Sequence, residues 1–542
     1  MIKCLTAIII PPEATLDERI RGLFPPGAVY NRKPKPMDTL VERRMRQMSS
    51  DIRSKTDWME TINDADTRAD WAAEAKTKEL TGIEFAYVLD ELVYYASLHL
   101  PGSNARLSAA DGVWLSDTLI DAETTNELRD YVAILESVPD RQKDWYPNDR
   151  SRVLNLIDPS LFPLIYSRSK LCLQTGTSPQ AALKFEDEEE SDYYLPTGVR
   201  WCGSYTSEKF SWLPSEFHVD DNGAVTIESY INNLHPVKHT ALYPIIASVF
   251  SKFLPLLEQV VTDLVHPRHP RVMPDQDKYY KSDEPLPNHE GGNYYEELIL
   301  WKSRAASVHP QPEPFVAPAH PINPYRLCGR RLQAIVKMSN IELTSKRPIY
   351  GGKDWSVAGL TNEHIIATGI FFYDVTNIAP ASLRFREALY SWDFEAEQLD
   401  IDSVIKAYDD PVSQELGNIG IKDGRCFVFP NILQYKIPEL KLADKTKPGH
   451  CKMLTFHFVD PSTRIPSTEI VPPQQQDWHF EDVLAYEPFR SLPQLIVGGI
   501  MAQVDFPISL KEAKKLRLQV SRDEVGEHVS FELFEPKFHF SS

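Results

Sequence analysis

The run Gly424-Arg425-Cys426-Phe427-Val428-Phe429-Pro430-Asn431-Ile432-Leu433-Gln434-Tyr435-Lys436-Ile437 decides the fold class. Its first half is rich in β-forming residues and is bounded by Gly424 on one side and Pro430-Asn431 on the other, which marks a short strand. Segments 332–343, 364–375, 383–385 and 453–459 share that character. Several strands of this size with turns between them suggest a sandwich or barrel. Within 453–459, His457 alternates with Phe456 and Phe458, so it faces away from them.

Upstream of the strands the pattern changes. Residues 265–324 form a Pro-rich connection, with six prolines in 309–324; proline removes donors and restricts its predecessor, so an extended surface strap with a short helix at 294–301 is expected. Residues 243–264 read as a strongly apolar helix despite Pro255, and 212–230 as strands around a turn at Asp221-Asn222-Gly223. The acidic run at 186–190 reads as a solvated loop, since like charges this dense repel. Residues 38–102 read as helical, with Asp38 as an N-cap, and 121–137 form a further helix capped by Asp121. Residues 509–520 return to a basic amphipathic helix, and 1–10 read as a first strand. The expected organisation is an N-terminal, mainly helical region at 1–150, a mixed α/β region at 151–326, and a strand-rich core with a C-terminal helix at 327–542.

Composition narrows the function. The 542 residues carry 58 Lys plus Arg against 77 Asp plus Glu, a net charge of −19, which argues against phosphate-backbone binding. No apolar run approaches the roughly 18 residues needed to span a bilayer, so no membrane partner is expected. Six scattered cysteines form no CxxC pair, which argues against a zinc ribbon and suits a reducing, cytoplasmic compartment. No P-loop, GxSxG elbow or HExxH is present.

Three stretches carry a resemblance: 350–369, the run 424–437, and 447–478 with His457-Phe458-Val459-Asp460-Pro461 and Val471-Pro472-Pro473-Gln474-Gln475. With Lys143-Asp144-Trp145-Tyr146-Pro147, Asp158-Pro159-Ser160-Leu161, 229–236 and 329–333, they resemble a largely uncharacterised fungal protein family with a double-stranded β-helix core, similar to that of iron(II) and 2-oxoglutarate-dependent oxygenases. The resemblance implies an α+β fold: an N-terminal helical region packed on a C-terminal double-stranded β-helix, or jelly-roll, barrel. The family pattern His-Val-Glu-Gly is here Ser356-Val357-Ala358-Gly359, its Gln-His-Arg is Gln434-Tyr435-Lys436, and its Gly-His-Arg-Lys is Gly449-His450-Cys451-Lys452. An iron facial triad takes two imidazoles and a carboxylate, which Ser356, Ala358 and Tyr435 do not supply.

The expectation is therefore an enzyme without metal or other cofactor, directing a non-oxidative step on a secondary-metabolite intermediate: cyclisation, isomerisation or dehydration. Tyr435, Ser356 and His364 are the candidate catalytic groups. Trp355, Ala358, Tyr373, Gln434, Cys451 and Lys452 are the candidate substrate contacts. Two alternatives stand beside it. One is a non-catalytic pseudo-oxygenase acting as a partner, with homo- or hetero-oligomers open. The other is an oxygenase whose metal site is rebuilt from Glu363, His364, His450, His457 or His479.

Overall fold

The computed structural model describes residues 35–36, 38–98, 103–146, 152–172, 180–182, 207–265, parts of 271–317, 325–390, 413–484, 486–501, 503 and 507–525. The expected first strand at 1–10 and the acidic run at 186–190 lie outside these residues, as does just under half of the Pro-rich connection. The fold is mixed α+β, with a helical N-terminal part and a large antiparallel sheet.

The helices begin where side chains can satisfy their first free N–H groups. Helix α1 (Leu40–Arg53) is capped by Thr39, whose Oγ1 accepts from Glu42 N at 3.0 Å. Asp38, the expected cap, instead pairs with Arg46. The helical stretch then continues through Trp58–Thr61 and Ala65–Thr77 to α2 (Gly82–Ser97), which opens with a reciprocal Thr81–Glu84 capping box. Helix α3 (Ala122–Glu136) is capped by Asp121.

Helix α4 (Leu242–Val265) contains Pro255 yet runs 24 residues. By length and composition it could cross a membrane, but two-thirds of its most apolar window is buried inside the protein. It covers one face of the large sheet. Phe250 and Phe253 meet Phe456 edge-on at 5.3 and 5.6 Å. Each fully buried ring contributes about 2 kcal/mol. Gly369 permits this contact, because a Cβ there would stand 2.8 Å from the Phe253 ring.

The large sheet uses β1 (Arg106–Leu107), β2 (Trp114–Ser116), β3 (Val153–Ile157), β4 (Ser215–Val219), β5 (Val225–Ile227) and β6 (Arg330–Leu343). The smaller sheet begins with β7 (Lys353–Ser356), and the chain then continues as β8 (Ile365–Thr376), β9 (Ser382–Tyr390), β10 (Ser413–Gly420), β11 (Cys426–Pro430), β12 (Gln434–Ile437) and β13 (Gly449–Val459). The large sheet is ordered β5-β4-β6-β13-β8-β11-β2-β1, with β3 also on β6. The smaller one is ordered β7-β12-β9, with β10 on the other edge of β9. Strands from all three expected regions therefore share one sheet.

The two sheets face each other across a core holding Ile341, Leu343, Phe372, Phe427 and Phe429 from the large sheet and Leu383, Phe385, Leu416 and Ile419 from the smaller one. Phe385 bridges them, 5.1 Å from Phe429 and 6.3 Å from Phe427. Among the described residues the two sheets do not pair into a closed barrel. The C-terminal part adds α5 (Gln476–Leu484) and α6 (Leu510–Val525).

Candidate functional site between the two sheets

Residue 356 ends β7 and is the direct cross-strand partner of Tyr435 on β12. Directly opposed residues project to the same side of a sheet. Tyr435 packs on the inter-sheet core, its ring 5.2 Å from Phe429, so Ser356 also faces the large sheet. Its Oγ is buried and has no hydrogen-bond partner among the described residues. Gly352 sets this register: it adopts φ +82°, and a Cβ there would stand 2.5 Å from the Ile437 carbonyl.

Ala358 follows two residues later and is buried with Trp212, Ile335 and Ile365. Asn431 clamps its backbone, accepting from Ala358 N at 3.1 Å and donating to Ala358 O at 2.9 Å. By alternation along β6, Ile335 shares a face with Ile341 and Leu343. The loop carrying Ala358 therefore closes one end of the inter-sheet space. Glu363, fully buried, fixes that loop by accepting from Trp212 N at 2.7 Å and from Leu360 N.

Across the space, β13 presents His457, which is 3 % exposed. Its register partners are Ile335 and Thr368. Thr368 Oγ1 lies 3.0 Å from Nδ1, and the Trp212 ring is 5.5 Å away. Nε2 has no partner among the described residues. Burial, reinforced by Lys337 and Lys353, pushes the His457 pKa down to about 3, so the imidazole is neutral near pH 7. Lys337 stands on the same face of β6 as Ile335, and Lys353 begins β7. Neither has an ion-pair partner among the described residues. The site thus combines a neutral imidazole, a hydroxyl and a phenol, within electrostatic reach of the Lys337 and exposed Lys353 ammonium groups. That set suits a small anionic guest.

The expected residues divide among three surfaces. Ser356, Tyr435 and Ala358 meet at the inter-sheet space. Cys451 also faces inward but lies fully buried in the apolar core, and burial, with Asp374 and Asp423, pushes its thiol up to about 12. It packs as an apolar group there, unlike the arginine of the family pattern. Trp355 and Gln434 lie on the outer side of the smaller sheet, which corrects their expected place in the pocket. The Arg386 guanidinium sits 4.6 Å from the Trp355 ring and donates from Nε to Gln434 Oε1 at 2.5 Å. Arg384 and Lys436 flank the same ring at 5.7 and 5.9 Å.

Tyr373 and Lys452 are displaced likewise, onto the helix-covered face of the large sheet. Tyr373 Oη donates to Asn340 Oδ1 at 3.2 Å, and Lys452 pairs with Glu136 of α3 at 2.9 Å. The reason in each case is the two-residue period of a strand, which sends neighbours to opposite faces. His364 is half-buried at φ +46°, and its carbonyl accepts from Asp460 N at 2.8 Å. Lys337 was missed: it reads as one polar residue in a buried strand, and its alternation with Val336 and Met338 was the available signal. His457 was legible as facing away from the phenylalanines, but not as the only buried imidazole with a lone Nε2 in this space among the described residues. No group of three His, Cys, Asp or Glu gathers as a metal site among the described residues.

A family model described as "Protein of unknown function (DUF4246)" matches residues 83–482, and one described as "Domain of unknown function DUF4246, N-terminal" matches residues 8–74. No curated protein matches the chain. Among solved structures, IDO from Bacillus thuringiensis is 7 % identical, over 24 % of this chain and 46 % of that one, with a TM-score of 0.16. A bsmA homologue from Methylobium petroleophilum PM1 is 10 % identical over 26 % and 45 %, with a TM-score of 0.16. The chain thus spans about half the length of each. The Fe(II)/(alpha)ketoglutarate-dependent dioxygenase TqaL is 9 % identical over 64 % and 96 %, with a TM-score of 0.22.

Proposed function

We propose that this chain, which belongs to the DUF4246 family of proteins of unknown function, is a metal-independent enzyme that binds a small anionic metabolite between its two sheets and directs a non-oxidative step there. The scaffold we infer is a double-stranded β-helix. Its support is the strand order: β6, β8, β11 and β13 fall in one sheet and β7, β9, β10 and β12 in the other, as expected when a chain of eight strands winds between two layers. On that scaffold the positions 356, 358 and 435 would face a metal, and their groups are a hydroxyl, a methyl and a phenol. These do not fit an iron(II) triad, and no step runs through iron.

The observation that carries the reading is the pair of buried polar atoms, Ser356 Oγ and His457 Nε2, that have no partner among the described residues. Leaving such a group unsatisfied costs about 1–3 kcal/mol, and a bound guest would relieve that cost. Lys337 and Lys353 would hold the guest's negative charge. The Tyr435 phenol would donate to a developing oxyanion, and the neutral His457 would exchange a proton without itself carrying charge in the ground state. Cyclisation, isomerisation and dehydration all fit these groups, and preorganisation by the closed end at Ala358 and Trp212 would assist each.

Incubation with small carboxylate and enolate metabolites, with product detection by mass spectrometry, tests the proposal. Turnover that persists with an iron chelator and falls in the Ser356→Ala, Tyr435→Phe double variant is expected. Full activity in that variant, or stoichiometric iron with succinate release from 2-oxoglutarate, would overturn it. A second reading, a non-catalytic partner protein, is favoured by the exposed apolar side chains Leu495, Ile496, Ile500 and Tyr486 at the helix Gln494–Met501. Sedimentation of the full chain distinguishes it: a strictly monomeric particle at all concentrations counts against self-association through this surface.

A further inference from the structure

A second cleft lies where the turn after β3 meets the first turn of α5, with a volume of about 160 Å³. A cavity of about 150 Å³ holds a molecule the size of benzene, so this one admits a ligand of about six heavy atoms. Asp144, Asn155, Asp158, Gln475, Asp477 and Trp478 line it.

Gln475 is the decisive residue, 2 % exposed. Its Nε2 donates to Asn232 Oδ1 and Asn233 Oδ1, both at 3.1 Å. Those two asparagines cannot be turned round. Asn232 Nδ2 donates to the carbonyls of Leu161 and Phe162, and Asn233 Nδ2 to those of Asp158 and Leu161. The amide orientation of Gln475 is therefore fixed by its neighbours. Its Oε1 is left buried, with no partner among the described residues.

Charge points the same way. Asp144 and Asp158 share Arg517, which lies 3.0 Å from Asp158 Oδ2, and Lys514 adds a contact to Asp144 at 3.1 Å. Asp477 has no ion-pair partner among the described residues. Three carboxylates against two cations leave one negative charge. The positive end of α5 contributes only about half a unit charge, so the cleft remains negative. Asn155 commits its Nδ2 to Asp158 at 3.2 Å, leaving its carbonyl oxygen as a further acceptor. Trp478 adds an aromatic wall, favourable to a cation.

We propose that this cleft binds a small alkylammonium ligand. An ammonium group offers three donors and no acceptor, which matches an orphaned carbonyl oxygen beside an uncompensated carboxylate. An anion would meet Asp477 and Gln475 Oε1 with the wrong sign, and a neutral alcohol would leave the charge unanswered.

Calorimetric titration of the full chain with n-butylammonium, n-butanol and butyrate at matched ionic strength is the test. Butylammonium should bind with a Kd of about 1 mM or tighter, and the other two at least about tenfold more weakly. Asp477→Asn, at an exposed position whose loss leaves the fold intact, should weaken butylammonium by about tenfold. A Gln475→Met variant that keeps its thermal midpoint should weaken it similarly. Absence of butylammonium binding, equal binding of n-butanol, or unchanged affinity in Asp477→Asn would overturn the proposal.

Discussion

Acid should unfold this protein partly through one residue, His457. A histidine titrates ordinarily at 6.5, and burial holds the folded His457 at about 3. Between those values the unfolded chain takes up the proton and the folded chain does not. Stability therefore falls as pH drops through this window, and levels off only below the folded value. Each pH unit removes about 1.4 kcal/mol once the unfolded histidine is fully charged. Between about pH 7.5 and about pH 5 the loss from this residue amounts to about 2 kcal/mol.

The group is 3 % exposed, so solvent screening does little to diminish that figure. Urea unfolding followed by tryptophan fluorescence, in the wild type and in His457→Gln at both pH values, isolates the effect. All other titrating groups are common to the two chains and cancel in the difference. The wild type should lose about 2 kcal/mol more than the variant on acidification. Equal losses, or a larger loss in the variant, would refute a neutral, desolvated imidazole and with it the proton-exchanging role proposed for it.

Further outcomes follow from other positions. Gly352→Ala should destabilise by about 2 kcal/mol, since it places a Cβ against the Ile437 carbonyl at a left-handed φ; a chemical-denaturation midpoint unchanged from wild type would contradict this. Arg517→Met should cost about 3–5 kcal/mol, because it strands the buried Asp158 and leaves Asp144 with Lys514 alone; thermal unfolding measures it. Ser356→Ala should change stability by less than about 1 kcal/mol, because Ser356 Oγ makes no hydrogen bond among the described residues; a larger shift of the urea midpoint would contradict this. Lys337→Met should weaken binding of any anionic substrate by about tenfold with little effect on the urea midpoint.

Local chemistry was readable where it acts over a few residues. The cap at Asp121, the long apolar helix and the main strands of the C-terminal half follow from side-chain competition for free N–H groups and from hydrophobic periodicity. The cap of α1 was misplaced by one residue because Asp38 and Thr39 are both good caps, and only the distant Arg46 contact and the burial of Asp38 settle which one serves. The site was half legible. Ser356, Ala358 and Tyr435 stand where the family pattern has its metal ligands, whereas Trp355, Gln434, Tyr373 and Lys452 follow from the sequence only as expected lining of the pocket. In a strand such an expectation misleads, since the next residue faces the opposite way.

By itself the sequence determined the element types, the strand-rich core and the identity of the groups at 356, 358 and 435, because these depend on propensity and residue chemistry alone. Only the tertiary structure decided which faces meet. Register paired Ser356 with Tyr435, alternation turned Lys337 and His457 toward them, and burial removed the water that would otherwise keep His457 ordinary. Residues up to 120 apart along the chain were brought to one space by sheet packing, a long-range outcome that no local pattern encodes.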